Sequence, residues 1–194
     1  MSTLNDADRR EYYRIEDMIA LEITPLAAAE AASGEVLQDA SPLFNLLSEL
    51  HLSEFESQHL LRQISERDRT LSSYLKTLNK RVELLSQIVA QTVLGKIGEL
   101  QPVQLSEGGI EFEHLQPRAT GSHLSIKLVL MPQALGLLLR ARVVDCQAQA
   151  GGYRINTEFE SLTDTQRQLL ARYILQKQAQ ARRLAREQQE SAGE

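Results

Sequence analysis

At 194 residues the chain has room for one domain with a substantial core, or for a small domain plus an elaboration. Its 42% hydrophobic and 24% charged residues match ordinary globular usage, which excludes wholesale disorder and a collagen-like scaffold, and the single Cys146 excludes an internal disulfide. A net charge of -5, a polar and charged start over residues 5–10, and no apolar run near the roughly 20 residues of a bilayer span lead us to expect a cytoplasmic protein with no membrane span and no nucleic-acid partner.

Residues 12–23 alternate as a half-buried strand does, with Tyr13, Ile15, Ile19, Leu21 and Ile23 on one face and Tyr12, Arg14, Glu16 and Glu22 on the other. Asp17 interrupts the apolar face, which suggests a bulge. Pro25 closes the strand, and the Ala-rich stretch before Ser33-Gly34 reads as a linker or weak helix. Ser41-Pro42 then opens a short helix, serine as cap and proline in the first turn, with Leu43, Phe44, Leu46, Leu47 and Leu50 as its apolar face. A second opening falls at Ser53, where Glu56 three residues on completes a capping box.

After it, apolar residues recur alternately every three and four positions: Leu61, Ile64, Leu71, Leu75, Leu78, Val82, Leu85 and Val89, with Asp68 the one charged member of the stripe. Proline is absent from Ser53 to Leu100 and glycine before Gly95. The pattern predicts one helix of about 40 residues, roughly 60 Å long at 1.5 Å per residue. These eight apolar residues are the expected oligomer interface, because an exposed apolar seam calls for a partner and a second copy is the simplest one. The alternative is packing on the chain's own barrel or on the Ser41 helix as a hairpin. Asp68 then sets the register or marks a helix break.

Past Pro102 the period becomes two. Ile110 and Phe112, then Leu124, Ile126, Leu128 and Leu130, then Tyr153, Ile155, Thr157 and Phe159 alternate with polar residues, and 137–146 adds a further β-rich segment. With the initial strand this predicts four or five antiparallel strands in a small barrel or sandwich. Thr163 and Gln166 form a capping box for a last helix carrying Leu169, Leu170, Tyr173 and Ile174. Beyond Lys177 the apolar face thins among arginines, so that basic run reads as a solvated, projecting helix end, and 188–194 as a disordered tail.

Two motifs carry chemistry. Arg10 and Arg14 share one side of an extended lead-in, with Arg9 beside them, and guanidinium forks grip phosphate bidentately, read a guanine edge and stack on purines. Gln104 to Gly109 holds Ser106 and the pair Gly108-Gly109, which permits either close approach of a ligand to the backbone or a tight strand-to-strand turn. Nothing points to catalysis. The four histidines show no metal-ligand spacing with one another or with Cys146, and no phosphate loop, nucleophile elbow or dinucleotide fingerprint is present, so we expect no enzyme, no metal and no cofactor.

In these motifs the chain resembles the PilZ family of cyclic di-GMP receptors. That family carries an R-x-x-x-R lead-in, often doubled at its first arginine, a D/N-x-S-x-x-G turn, and a C-terminal helix after a strand ending in phenylalanine; here these are Arg9, Arg10 and Arg14, then Ser106 and Gly109, then Phe159 before the Thr163 helix. The resemblance implies an α+β fold: an antiparallel PilZ-type β-barrel with its C-terminal helix over 8–25 and 101–187, split by a helical, coiled-coil insertion over 26–100. It implies cyclic di-GMP as ligand, held by Arg9, Arg10, Arg14, Gln104, Ser106, Gly108 and Gly109, and a role as receptor or adaptor toward a downstream protein. Gln104 stands where the family has Asp or Asn, which keeps an amide acceptor but lengthens it and removes the charge. The insertion is similar to that of an atypical branch assembling through its helices, so a homotetramer, or else a dimer, is implied. The competing reading is a structural oligomer that keeps the fold without binding nucleotide.

Overall fold

The computed structural model of the chain describes residues 13–27, Glu30, 37–97 and 99–191. Six strands, β1 (Ile15–Leu26), β2 (Leu100–Leu105), β3 (Gly109–His114), β4 (His123–Leu130), β5 (Leu135–Gln149) and β6 (Gly152–Glu160), close into an antiparallel barrel in the order β1-β2-β3-β6-β5-β4. Between β1 and β2 run helices α1 (Pro42–Arg67) and α2 (Arg69–Ile97), and α3 (Asp164–Ser191) follows β6. By packing, one compact unit runs to Met18 and takes in Pro102–Gly121 and the chain from Arg142 onward; the other is Ile19–Gln101 with Ser122–Ala141.

In the first unit the strand register explains the alternating sequence. Val103 faces Phe112, which faces Ile155, and Leu105 faces Ile110, which faces Thr157, so one side of β2, β3 and β6 is a continuous buried layer. Thr157 is the polar member, and its hydroxyl donates to the Ile110 carbonyl at 2.8 Å, leaving no unsatisfied group. The Thr163 capping box forms as expected: the Thr163 N–H donates to Gln166 Oε1 at 3.0 Å, and Gln166 N–H to Thr163 Oγ1 at 3.1 Å. Leu169, Leu170, Tyr173 and Ile174 are buried.

In the second unit Leu21 pairs with Leu128 and Ile23 with Ile126 on one face of β1 and β4, while Ala20 and Val129 pair on the other. That other face is covered: Phe44 and Leu47 of α1 and Ala90 and Ile97 of α2 form a second core with Ala20, Val129 and Ala134. β4 is therefore buried on both faces from Ile126 onward. Lys127 points into this cover, its ammonium 2.9 Å from Asp39, 3.3 Å from Glu22 and 5.0 Å from the centre of the Phe44 ring. Burial alone lowers the pKa of this ammonium, but hydrogen bonds and charge from Asp39 and Glu22 outweigh it and raise the net value. His51 and Ser48 fasten α1 to the segment after β4. The His51 ring nitrogens lie 2.8 Å from the Leu47 carbonyl and 2.7 Å from that of Gln133, and the Ser48 hydroxyl donates to Gly136 at 2.7 Å.

Three expectations need correction. Among the described residues there are six strands rather than four or five. The extra one is β2, whose internal Pro102 disguises it because proline within a run ordinarily argues against a strand. No helix begins at Ser53: α1 runs unbroken from Pro42, capped by Ser41, whose hydroxyl accepts from the Phe44 N–H at 3.4 Å. The expected rod is instead two helices, and of the alternatives at Asp68 the helix break is the one observed.

Asp68 is extended (φ -142, ψ 101); its N–H closes α1 on the Ile64 carbonyl at 2.8 Å, and its carboxylate caps α2 by accepting from the Leu71 N–H at 2.9 Å. The helices fold back as a hairpin whose contacts use small residues: Ser72 donates to Ser65 at 3.0 Å, and Ser72, Ser86 and Ala90 are buried. The expected tail also differs, since α3 continues to Ser191. Residues 192–194 lie outside the described residues.

Candidate ligand site at the start of β1

Arg14 immediately precedes β1, and its Nη1 lies 3.8 Å from Glu111 Oε2 on β3. Arg154 on β6 approaches the same carboxylate from the other side, Nε to Oε1 at 3.5 Å. Glu111 thus stands between two guanidinium groups, one of them the lead-in arginine. Register explains the arrangement: Gln104, Glu111 and Asn156 are paired in adjacent strands, and Arg154 lies two residues along β6 on the same face. Long, half-exposed ion pairs of this kind contribute about 0 to 1 kcal/mol each, so Glu111 is a displaceable partner.

Two depressions flank this point. One, of about 430 Å³ on the barrel wall, is lined by Gln104 and by Glu16, Asp17, Glu111 and Glu113, with Arg154 the cation among the described residues. The other, of about 530 Å³, lies between the start of β1 and α3 and holds Tyr13, Arg14, Glu16, Lys177, Arg182 and Leu184 among its walls. Arg14 lines the second and not the first.

Asp17, which breaks the apolar alternation of β1, makes its contacts with α3. Its carboxylate accepts from the Tyr173 hydroxyl and from Lys177 Nζ at 2.8 Å, which docks α3 on β1. Burial, and then the facing Asp17 carboxylate, push the Tyr173 phenol far above its ordinary range.

The glycine turn is built from itself. Ser106 is buried; its hydroxyl accepts from the Gly109 N–H at 3.1 Å and donates to the Gly109 carbonyl at 3.2 Å, while its own N–H donates to that carbonyl at 2.9 Å. The Gly108 carbonyl accepts from the Phe159 N–H at 2.8 Å. A Cβ at Gly109 would lie 2.0 Å from the Thr157 carbonyl oxygen, so the close approach that glycine permits there is made by β6. These residues form the tight strand-to-strand turn.

Of the expected ligand residues, then, Arg14 and Gln104 line different depressions, Ser106, Gly108 and Gly109 form the β2–β3 turn, and Arg9 and Arg10 lie outside the described residues. Sequence reasoning missed Glu111 and Arg154. Their only signal was a polar position in each of two alternating strands, and nothing local tells that β3 and β6 are neighbours. It also missed Lys177 and Tyr173 as partners of Asp17, although a lone carboxylate on an apolar face was a usable cue.

The described residues thus form a closed six-strand antiparallel barrel with Arg14 ahead of its first strand, a serine-glycine turn between β2 and β3, and a C-terminal helix docked on β1. The PilZ domain family model matches residues 78–176, about half of the chain, and the protein belongs to that family. No curated protein sequence matches it. Among solved structures it is similar to a pathogenic protein of Xanthomonas campestris, a tetrameric PilZ domain self-assembled through a helical bundle, with a TM-score of 0.56 and 16% identity over 95% of this chain and 99% of that one. Weaker similarities are to the Bacillus subtilis inhibitor of motility (TM-score 0.46, 12% identity, 89% of this chain and 52% of that one) and to YcgR of Escherichia coli in complex with c-di-GMP (0.40, 20%, 45% and 39%).

Proposed function

We propose that this protein is a cytoplasmic cyclic di-GMP receptor or adaptor that acts as an oligomer, probing nucleotide through its barrel and assembling through its helical hairpin toward a downstream protein. In this reading 8–25 and 101–187 form the receptor part and 26–100 the assembly part. The observation that carries it is Arg14: on a barrel of this family, a guanidinium at the start of β1 is held only by a weak, half-exposed ion pair and lines a groove of ligand size. Assembly is supported by the stripe left open on the hairpin. Leu71, Val82 and Leu85 are exposed and Leu61, Ile64, Leu75 and Leu78 half-buried, Tyr74 and Ile88 extend the apolar surface, and Val89, the last of the stripe, packs against the second core. The structure similar over nearly its whole length is a tetramer built on a helical bundle. Among the described residues no helix is long and apolar enough to cross a membrane.

A second reading, an assembly module without nucleotide, is favoured by Glu111, which occupies Arg14 from within the chain, and by the carboxylates around Gln104. Calorimetric titration with cyclic di-GMP separates the two. The receptor reading expects binding by the wild type and a loss of roughly 30- to 1000-fold in Arg14→Ala, the range for losing a charge-assisted phosphate contact. No binding by the wild type leaves the assembly module.

A further inference from the structure

Resting on the receptor reading, we propose that Glu111 is a built-in competitor of the ligand: its carboxylate stands in for a phosphate at Arg14 and so sets how tightly nucleotide binds, while Arg154, which no family motif marks, is the counter-ion that shares it. The geometry is that of a bound anion. A carboxylate spreads one charge over two oxygens as a phosphodiester does, and here each oxygen faces its own guanidinium, Oε2 toward Arg14 Nη1 at 3.8 Å and Oε1 toward Arg154 Nε at 3.5 Å. The Glu111 side chain is 19% exposed against 46% for Arg14 and 47% for Arg154, so the carboxylate is the fixed member and the guanidinium groups are the ones that can turn outward.

The strand ladder makes this pairing selective. Arg154 is the direct cross-strand neighbour of Glu113, yet its guanidinium reaches Glu111, two residues away along β3 on the same face. Glu113 is exposed and pairs with no described residue, although it lines the same barrel-wall depression. Gln149, at the end of β5, holds Arg154 in turn: with its amide oxygen turned toward the guanidinium it accepts from Nε at 2.8 Å and from Nη2 at 2.9 Å. Arg14, by contrast, is held among the described residues by Glu111 alone. An anion arriving at the start of β1 therefore takes Arg14 and leaves Arg154 with Glu111. Neither contact of Glu111 is as short as a hydrogen bond, so a phosphate that accepts two from a guanidinium fork displaces it. The apparent affinity is then the intrinsic one scaled by the fraction of molecules whose Arg14 has left Glu111.

Cyclic di-GMP is titrated calorimetrically into the full chain and its Glu111→Gln, Glu113→Gln, Arg154→Gln and combined Glu111→Gln/Arg154→Gln variants at about 0.15 M salt, with circular dichroism verifying folding. Glu111→Gln keeps the shape and removes the charge, so it is expected to bind at least about threefold more tightly than wild type, with Glu113→Gln within about twofold. Arg154→Gln leaves Glu111 to Arg14 alone and is expected to bind at least about threefold more weakly, and the double variant to return to within about twofold of Glu111→Gln. If Glu111→Gln gains nothing, or Glu113→Gln gains as much, the competitor is overturned and the receptor reading survives. A double variant as weak as Arg154→Gln makes Arg154 a contact of the ligand and overturns its role as counter-ion. Binding by Glu111→Gln where the wild type shows none, lost again on adding Arg14→Ala, upholds the competitor. If neither the wild type nor Glu111→Gln binds, the receptor reading fails and the competitor with it.

Discussion

Gly109 illustrates how one atom's worth of space decides a residue. The Thr157 carbonyl stands 2.0 Å from where a Cβ would be built, so Gly109→Ala forces β3 off β6 at a point where neither backbone yields easily. We expect a loss of about 2 to 3 kcal/mol in urea unfolding, the upper range for overpacking, against about 1 to 2 kcal/mol for Ser106→Ala, which only strips hydrogen bonds from the turn. An alanine at 109 as stable as the wild type would mean that the turn relaxes. Tyr173 yields a pH prediction. Its phenol is held above its ordinary value of 10.0 by burial and by Asp17, so this contribution is complete below that value and is lost as the pH rises through the still higher folded value. Lys127, raised above 10.5 by Asp39 and Glu22 despite its burial, works in the same direction. Unfolding free energy measured from about pH 8 to about pH 11 should therefore decline, and Tyr173→Phe should flatten the decline without abolishing it. An identical slope in the phenylalanine variant removes Tyr173 from the account.

The elements are governed by their ends. Asp68 both terminates α1 and caps α2, a double use that aspartate fits because its short carboxylate reaches the N–H three residues on while its own backbone is extended. Asp68→Ala should lower stability by about 0.5 to 2 kcal/mol, measured by urea unfolding, with helix content by circular dichroism unchanged. A variant more stable than wild type would show that α1 and α2 gain by joining into the single rod. In the hairpin Ser72 bonds Ser65 across the two helices and Ser72, Ser86 and Ala90 are buried residues of α2, while Leu71, Val82 and Leu85 of the leucine stripe are exposed.

For the whole molecule, the exposed part of that stripe is an apolar surface on a chain with an otherwise ordinary charge balance. Leu85 is 62% exposed and Ile88 66%, so neither contributes much to folding of the single chain, and both are suited to a contact between copies. Replacing both with aspartate should reduce the mass measured by light scattering at micromolar concentration to that of one chain, with the unfolding midpoint of the barrel little changed. Wild-type protein that scatters as a single chain under the same conditions removes assembly from the proposal.

The alternation of Ile110, Phe112, Ile155 and Thr157, the caps at Ser41 and Thr163, and the burial of Leu169 to Ile174 were all legible in the chain, because each is set by neighbours a few residues away and by the period of a helix or strand. The arginine lead-in and the serine-glycine turn were legible as motifs for the same reason, and with them the family. Glu111 between Arg14 and Arg154, β2 running through its proline, and the choice of serines over leucines for the inside of the hairpin were not. Each of these depends on which strand or helix lies alongside, and such neighbours are chosen by the free energy of closing the barrel and covering its β1–β4 face, a sum over distant residues that no local window contains.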